Sequence, residues 1–456
     1  VSLVSFFIHT GQRFLAKIRG NNPSHPVIQA KQYRLADDGF SHSALTVVNK
    51  LQRAGFEAYI VGGSVRDVLL GFHPKDFDVA TNAHPDQVRM VFKNSRVIGR
   101  RFRLVHVYFS EEIIEVATFR RGVVISNDEE DDESETMAAH EQTDTGLIVR
   151  DNEYGQLIDD VWRRDFTMNA LYYNPKDQTI TDYTEGVPDV QHKVLRMIGN
   201  PLQRYREDPV RLLRAVRLAS KLDLHIHADT QEPIRTLATL LHQVPPARLL
   251  EEVIKLFLSG HGLKTYRQLK HHHLFAALFP ETHRWCEDDK TGYYEKFIEL
   301  SLKNTDERVA QNKTVAPGFL FSVMLWPMYE QKLQYFLAKG NKFLEANNLS
   351  IDETLKVQSK YIAVPRRLVE VLRGTWELQP RLNERLRKQI YWILESPRFR
   401  SAYDFLILRG LAGHKNSHTA AQWWETFLDA NDTEREQMLK LCKERSGRKK
   451  KRKEND

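Results

Sequence analysis

The sequence predicts a small α/β head with a mixed sheet, followed by a mostly α-helical neck, body and tail. Strand-like apolar runs, at Ala58–Val61, Arg103–Phe109 and Ile113–Phe119, are confined to the N-terminal part of the 456-residue chain. Beyond about residue 195, apolar residues recur at helical spacing instead. Length alone calls for about two to four packed units.

In chain order, residues 1–40 read as a flexible N-terminal arm, with Pro23 and Pro26 among scattered polar positions. Its apolar start, Val1–Ile8, precedes Arg13, Lys17 and Arg19. A signal peptide puts its charges first, so this order argues against one. The head spans 41–195. Ser41 or Ser43 caps a helix through Ala44, Leu45, Val48 and Leu51 to Gly55. The strand Ala58–Val61 stops at Gly62-Gly63, a short helical segment from Val65 to Leu70 closes at Gly71, and Asp76-Phe77-Asp78 follows. Pro85 opens a helix containing Val88, Val91 and Phe92. Arg103–Phe109 and Ile113–Phe119 pair around a Ser110-Glu111-Glu112 turn. Residues 121–150 interrupt the pattern. Asp128–Glu135 holds seven acids in eight positions, which cannot pack without a heavy desolvation cost, and reads as a solvated loop or an electrostatic mimic of RNA.

The neck is expected at 196–260 and the body at 261–440. Helical spacing is clearest at Arg248–Leu258, Tyr266–Leu278 and Phe319–Met328, then from about Glu353, at Arg385–Leu394 and at Tyr403–Arg409. Residues 441–456 form a basic, disordered tail. Eight Lys/Arg against three acids there carry +5 of the net charge of +7. Cys286 and Cys442 suggest no disulfide framework or zinc spacing and fit a reducing cytoplasm. No apolar run approaches the roughly 18 residues that span a bilayer, so stable membrane insertion is not expected.

Residue chemistry then narrows the function. Alternation along a strand projects Asp76 and Asp78 from one face while Phe77 and Val79 pack behind. Glycines let backbone N–H groups approach phosphate oxygens, and paired carboxylates can hold Mg²⁺ against them. A lone Asp-x-Asp is usually a solvated face and a lone Gly-Gly a turn. In strand–Gly-Gly–helix–Asp-x-Asp order, they read as a nucleoside triphosphate site for phosphoryl or nucleotidyl transfer. In Arg163-Arg164-Asp165-Phe166-Thr167, Asp165 begins an expected helix that buries Met168 and Leu171. In Arg206–Ala219, Asp208 suits an N-cap and Pro209 the first helical position. Arg211, Arg214 and Arg217 form a stripe joined by Lys221. Four positive charges with no acid between them repel unless an anion lies against them. His271-His272-His273 lacks acids at metal-ligand spacing and reads as surface polar. The run Arg448, Lys449, Lys450, Lys451, Arg452 and Lys453 suits nonspecific phosphate contact, anionic lipid or plain solvation.

These motifs resemble the nucleotidyltransferase superfamily, in the branch holding bacterial poly(A) polymerases and tRNA CCA-adding enzymes. The resemblance implies a nucleotidyltransferase head, with Asp76, Asp78 and Asp165 as the active-site carboxylates, a neck that binds nucleotide and RNA, and a body that binds RNA. It implies Gly62, Gly63 and Arg66 positioning the triphosphate and Arg164 as a phosphate or nucleotide contact; Asp67, though part of the family motif, reads as a structural partner for a nearby arginine. Asp208 and Arg211 match residues that pair with the incoming base; Arg214 and Arg217 match phosphate-side contacts. Asp76 and Asp78 would hold two Mg²⁺ ions about 3.5–4 Å apart. Within the branch, Gly99-Arg100-Arg101-Phe102 resembles the segment typical of bacterial poly(A) polymerases, where Arg100 and Arg101 could hold single-stranded RNA. The implied activity is template-independent transfer of AMP from ATP to RNA 3′ ends, serving RNA processing and decay in the cytoplasm, with RNA-decay proteins as partners. A tRNA CCA- or A-adding enzyme and an inactive RNA-binding protein are the alternatives. No His-Asp dipeptide, the mark of the phosphohydrolase domain that some CCA-adding enzymes carry, occurs in the chain.

Overall fold

A computed structural model describes residues 27–33, 35, 37–99, 103–121, 140–142, 148–151 and 153–442. The chain divides into two compact units, Val1–Arg211 with Asp223–Pro233, and Leu212–Leu222 with Ile234–Asp456. Arg100, Arg101, the acidic run Asp128–Glu135 and the tail cluster Arg448–Lys453 lie outside the described residues.

The first unit is built on an eight-stranded mixed sheet. Its strands are β1 (Val27–Gln29), β2 (Ala58–Val61), β3 (Asp78–Thr81), β4 (Ser95–Ile98), β5 (Leu104–Tyr108), β6 (Ile113–Thr118), β9 (Leu171–Asn174) and β10 (Thr179–Asp182). Between them in sequence, β7 (His140–Gln142) and β8 (Ile148–Asp151) form a separate antiparallel ribbon. A last parallel pair joins β11 (Val194–Leu195) to β12 (His225–Ile226). The large sheet runs β1-β10-β9-β2-β3-β6-β5-β4. Every neighbouring pair in it is antiparallel except β3 with β6. Burial follows position: β10 is buried throughout, and β3 is buried at every residue after Asp78. Val61, Ala80, Phe119, Val161, Ala170, Tyr172 and Ile198 form one apolar cluster of this unit.

Several expectations hold in this unit. Ser41 caps the helix His42–Arg53 by accepting from the Ala44 N–H at 3.1 Å, and Pro85 opens the helix Pro85–Val91. β5 and β6 pair as expected. Three details differ. The arm expected at 1–40 contributes β1, which zips onto β10 and joins the sheet. Asp76 stands two residues before β3, so only Asp78 of the carboxylate pair is in the strand ladder. Asp165 does not begin a helix: the helix Leu157–Arg163 ends just before it, and a single 3₁₀ turn, Thr167–Asn169, leads into β9. Burial of Met168 and Leu171 satisfies either geometry, and β9 wins because it can pair with both β2 and β10.

The second unit is helical. Helices Pro246–Phe257, Gly262–His271, Tyr293–Ala310, Pro317–Met324, Trp326–Ala338, Phe343–Gln358, Arg366–Glu384, Phe399–Ala412 and Lys415–Asp429 make most of it. The helically spaced apolar stretches predicted from sequence fall on helices, but three are broken: Tyr266–Leu278 at His273, which is left-handed (φ 60°) before a separate helix Leu274–Leu278, Phe319–Met328 at Leu325 between two helices, and Arg385–Leu394. Arg385 takes a left-handed conformation (φ 52°, ψ 50°), a 3₁₀ turn follows at Arg387–Gln389, and a short helix runs from Ile390 to Glu395. His272 is buried between exposed neighbours, contrary to the surface reading of the three histidines, and burial pushes its pKa down to about 4. Among the described residues, no helix is long and apolar enough to cross a membrane.

Trp376 anchors this unit. It is fully buried, stacks on Tyr329 with ring centroids 4.2 Å apart, and donates its indole N–H to the Ser322 carbonyl at 3.0 Å. Replacing it by Ala leaves a large cavity and an unpaired carbonyl. Trp376→Ala is therefore expected to cost about 3–5 kcal/mol of unfolding free energy. Urea unfolding of the two proteins measures it, and a loss below about 1 kcal/mol would show that the stack is dispensable.

Candidate active site

The site begins where β2 ends. Gly62 has φ +74°, a conformation that L side chains rarely adopt, and a Cβ there would lie 3.2 Å from Nη1 of Arg164. The chain turns at once into the helix Gly63–Leu69. The Gly62 N–H donates to the Leu171 carbonyl of β9 at 3.2 Å, so the turn is tied to the neighbouring strand. Gly63 likewise faces Arg66, whose Nη2 would lie 3.4 Å from an added Cβ.

Antiparallel register brings the acids to this turn. Asp78 lies opposite Val61, the last residue of β2 and the one before Gly62. On its other side β3 runs parallel to β6, with Asp78 level with Glu115. Glu115 in turn faces His106 across the β5–β6 pair, with Nε2 of His106 3.3 Å from its carboxylate. Phe77 is buried while Asp76 and Asp78 both reach solvent. Solvent contacts the Asp78 side chain, yet the protein around it still partly strips its water. That desolvation, then the Glu115 charge, push its carboxyl up to about 6; Arg164 opposes the rise and Asp76 adds to it. Carboxylates crowded in this way favour a cation beside them. Among the described residues, no three or more His, Cys, Asp or Glu are gathered as a ready-made metal cage. A sparse carboxylate set fits Mg²⁺, which is commonly held by one or two carboxylates together with substrate phosphates and water.

Asp165 sits differently. It is 8% exposed, and its Oδ1 accepts from the Phe166 N–H at 2.8 Å and from Asn169 Nδ2 at 3.0 Å. Asn169 Oδ1 then accepts from Arg66 Nη1 at 2.6 Å, and Arg66 also donates to Asp67 through Nε and Nη2. Arg66 is only 5% exposed. The chain Asp165–Asn169–Arg66–Asp67 therefore braces the helix that follows the glycines, with Asp67 serving the neighbouring arginine as expected.

Beside it lies a network that the sequence did not reveal. Asp160, 1% exposed, accepts from Arg163, Arg164 and the Tyr172 hydroxyl, the last at 2.6 Å. Burial alone would raise its pKa, but the two guanidiniums and the phenol prevail and hold it down to about 2. Arg164 also reaches the Asn169 carbonyl at 3.2 Å and lies 5.0 Å from the Tyr172 ring centroid. It is thereby fixed against Gly62, within electrostatic reach of Asp78.

Downstream, Arg204 donates Nη2 to the carbonyls of both Arg163 and Arg164, at 2.7 and 2.6 Å. Arg204 and Arg211 share the Glu207 carboxylate, at 2.7 and 3.1 Å. Asp208 accepts from the Val210 N–H at 3.2 Å and caps the helix Val210–Leu222, as expected. The arginine stripe on that helix is not waiting for an external anion, however: Glu207 compensates Arg211, and Glu252 lies 3.8 Å from Arg217. Arg214 follows between them on the same helix. Glu115 and Asp160 were both missed from sequence. An acid alternating with apolar residues in Ile113–Thr118 marks the polar face of a strand and could have pointed to Glu115.

Comparison with known proteins bears on this arrangement. A family model described as the poly A polymerase head domain matches residues 58–196. A second, described as a probable RNA and SrmB-binding site of polymerase A, matches 223–286, and a third, the polymerase A arginine-rich C-terminus, matches 339–456. Poly(A) polymerase I of Salmonella typhimurium is 44% identical over 419 residues, covering 91% of this chain and 89% of the relative. A CCA-adding enzyme of Lactobacillus helveticus is 34% identical over 224 residues, 49% of this chain and 52% of its own. In fold, the crystal structure of the Bacillus stearothermophilus CCA-adding enzyme in complex with CTP is similar, with a TM-score of 0.55 at 21% identity, covering 87% of this chain and 90% of that one.

Asp160→Asn removes the charge while leaving the half-buried Arg163 and Arg164 beside a neutral amide. At pH 7 it is expected to cost about 2–3 kcal/mol of stability, the worth of a downward shift of about two pH units. The folded carboxyl titrates near 2, below its unfolded value of about 3.9. The charge's stabilisation is therefore full above pH about 4 and lost as pH falls through 2. Denaturant titrations should show the gap between wild type and variant closing over that window; a gap constant with pH would rule out the assigned charge.

Proposed function

We propose, from the premise that the chain belongs to the poly(A) polymerase family and is a polynucleotide adenylyltransferase, that it extends RNA 3′-hydroxyl ends with AMP from ATP, without a template. The observation that carries the mechanism is the register of β2, β3 and β6: Asp78 stands level with the residue before Gly62 on one side and with Glu115 on the other. A triphosphate lying on the Gly62-Gly63 turn would present its phosphates to those carboxylates.

In this reading Asp76 and Asp78 hold Mg²⁺, with Glu115 as the adjacent carboxylate. Two such ions, held by these carboxylates, would supply a lowered pKa for the attacking 3′-hydroxyl and charge neutralisation for the departing pyrophosphate. The protein's own residues do the positioning. Gly62 and Gly63 admit the phosphates close to the backbone. Arg164, pinned by Asp160 and Tyr172, offers a guanidinium edge beside Gly62. Asp165 acts as a positioning residue, keeping Arg66 and the helix behind the glycines in place through Asn169. Asp208 and Arg211 read the base, with Arg214 and Arg217 on the phosphate side. Arg100, Arg101 and the tail from Arg448 to Lys453 supply phosphate contacts to RNA. A role in RNA decay, RNA-decay proteins as partners and a cytoplasmic location complete the proposal.

The alternative, CCA addition to tRNA, rests on curated relatives such as the Lactobacillus helveticus enzyme, which match about half of the chain. Both are separated by one assay: the protein and Mg²⁺ with a generic 3′-hydroxyl RNA, then with a tRNA lacking its CCA end. Long tails from ATP alone are expected. Addition that stops at CCA would replace the proposal, and no incorporation from any nucleotide would sink it. Asp76→Ala and Asp78→Ala are each expected to slow incorporation by roughly 10²–10³-fold or more, with binding of RNA to each variant largely intact in a gel-shift assay. Wild-type rates from either variant would remove these carboxylates from the mechanism.

A further inference from the structure

Within the helical unit, the corner between Arg366–Glu384 and Ile390–Glu395 exposes an unusual set of side chains. Four of the eight residues from Arg381 to Lys388 are basic (Arg381, Arg385, Arg387 and Lys388) and only Glu384 is acidic. In the short helix that follows, Ile390 and Ile393 are fully buried and anchor it. Their fixed spacing turns Tyr391 and Trp392 outward, and these remain 54% and 52% exposed. Large aromatics this open on an anchored helix are uncommon unless something covers them. The guanidinium of Arg381 lies 4.7 Å from the Trp392 ring centroid, which leaves about half of the side-chain surface open. Arg385 lies 5.9 Å from the ring of Trp423, which is half-buried and itself stacks on Phe427 at 4.9 Å.

Arg385 adds an independent sign. It ends its helix at φ 52°, a position where glycine is the unstrained choice. A long cationic side chain at that position is costly for the backbone and is explained by what the guanidinium touches. The same corner adjoins the root of the basic tail: the charges of Arg385 and Arg387 act on Cys442, the last described residue, and eight Lys/Arg follow it in sequence.

We propose that Tyr391, Trp392, Arg381, Arg385 and Lys388 form a binding platform for single-stranded RNA. Open aromatic faces stack on bases of any identity, and interleaved guanidinium and ammonium groups meet the phosphates between them. The family model that spans this stretch names it arginine-rich and names no ligand. The choice of RNA as ligand rests on the reading of the protein as an RNA 3′-end polymerase. An acidic polypeptide would satisfy the charges alone and leave the indole and phenol faces without purpose.

The test uses the full chain and a 20-nucleotide oligoadenylate, with affinity read by fluorescence anisotropy. Tyr391→Ala and Trp392→Ala are each expected to weaken binding roughly 5- to 150-fold, with an unchanged dependence on salt, while Trp392→Phe keeps most of the affinity because it still stacks. Arg385→Gly should do the reverse in two respects. It relieves the left-handed strain, so the unfolding temperature holds or rises. It also removes a cation, so the slope of log affinity against log salt falls by about 0.7 for a lost single-strand phosphate contact. A variant that merely damaged the fold would lose both stability and affinity. Affinities of Trp392→Ala and wild type within about twofold would overturn the platform, as would a greater loss of polyglutamate binding than of oligoadenylate binding. Wild-type AMP incorporation is measured separately. If it is absent while Trp392→Ala still weakens RNA binding, the catalytic reading falls and the platform stands.

Discussion

One buried carboxylate organises the head. Asp160 holds Arg163, Arg164 and Tyr172 at once, and each of those leads somewhere that matters. Tyr172 lies on β9 opposite Val61, the residue before the glycine turn. Arg164 abuts Gly62 and contributes to the field at Asp78. The carbonyls of Arg163 and Arg164 receive Arg204, which shares Glu207 with Arg211. A charge so enclosed would be heavily penalised alone. With two guanidiniums and a phenol it becomes the point from which turn, strand and following helix take their relative positions.

The candidate site is a balance of opposed charges. Asp76, Asp78 and Glu115 accumulate negative charge at one end of the sheet, and Arg164 partly offsets it. Desolvation, Glu115 and Asp76 all act on Asp78 in one direction. The sheet tolerates this because Asp76, Asp78 and Glu115 are all exposed, Asp78 at the start of β3 and Glu115 within β6, while Val79 and Ala80 are buried behind them. The arginine stripe obeys the same logic in reverse: two of its cations, Arg211 and Arg217, face Glu207 and Glu252.

What the sequence revealed and what it hid divide along chain distance. The glycine turn, the Asp-x-Asp pair, the Asp208 cap and the β5–β6 hairpin were legible because each is set by neighbouring residues. Glu115 was not, because its place beside Asp78 depends on which strands adjoin in space. Asp160 looked like one of two acids in the first turn of a helix, Asp159 and Asp160, where charge is ordinarily solvated. The segment after Asp165 carries apolar residues that suit helix or strand, and only the available edges of β2 and β10 decide between them. Glu207 stands one helical turn before Arg211 in the sequence and could have been read as its partner; Glu252 comes from another helix and could not.

The parallel pairing of β3 with β6, alone among the antiparallel neighbours of the large sheet, has a consequence for how the protein is made. A parallel neighbour cannot be reached by a tight turn, so the helix Pro85–Val91, β4 and β5 must all be synthesised before Glu115 can settle beside Asp78. The Gly62 N–H waits longer still, until Leu171 of β9 supplies its acceptor. Contacts of such long range are the slow ones to form. The Gly62-Gly63 turn and its neighbouring acids are therefore brought together only when nearly all of the head has left the ribosome, and a growing chain carries this arrangement unfinished until then.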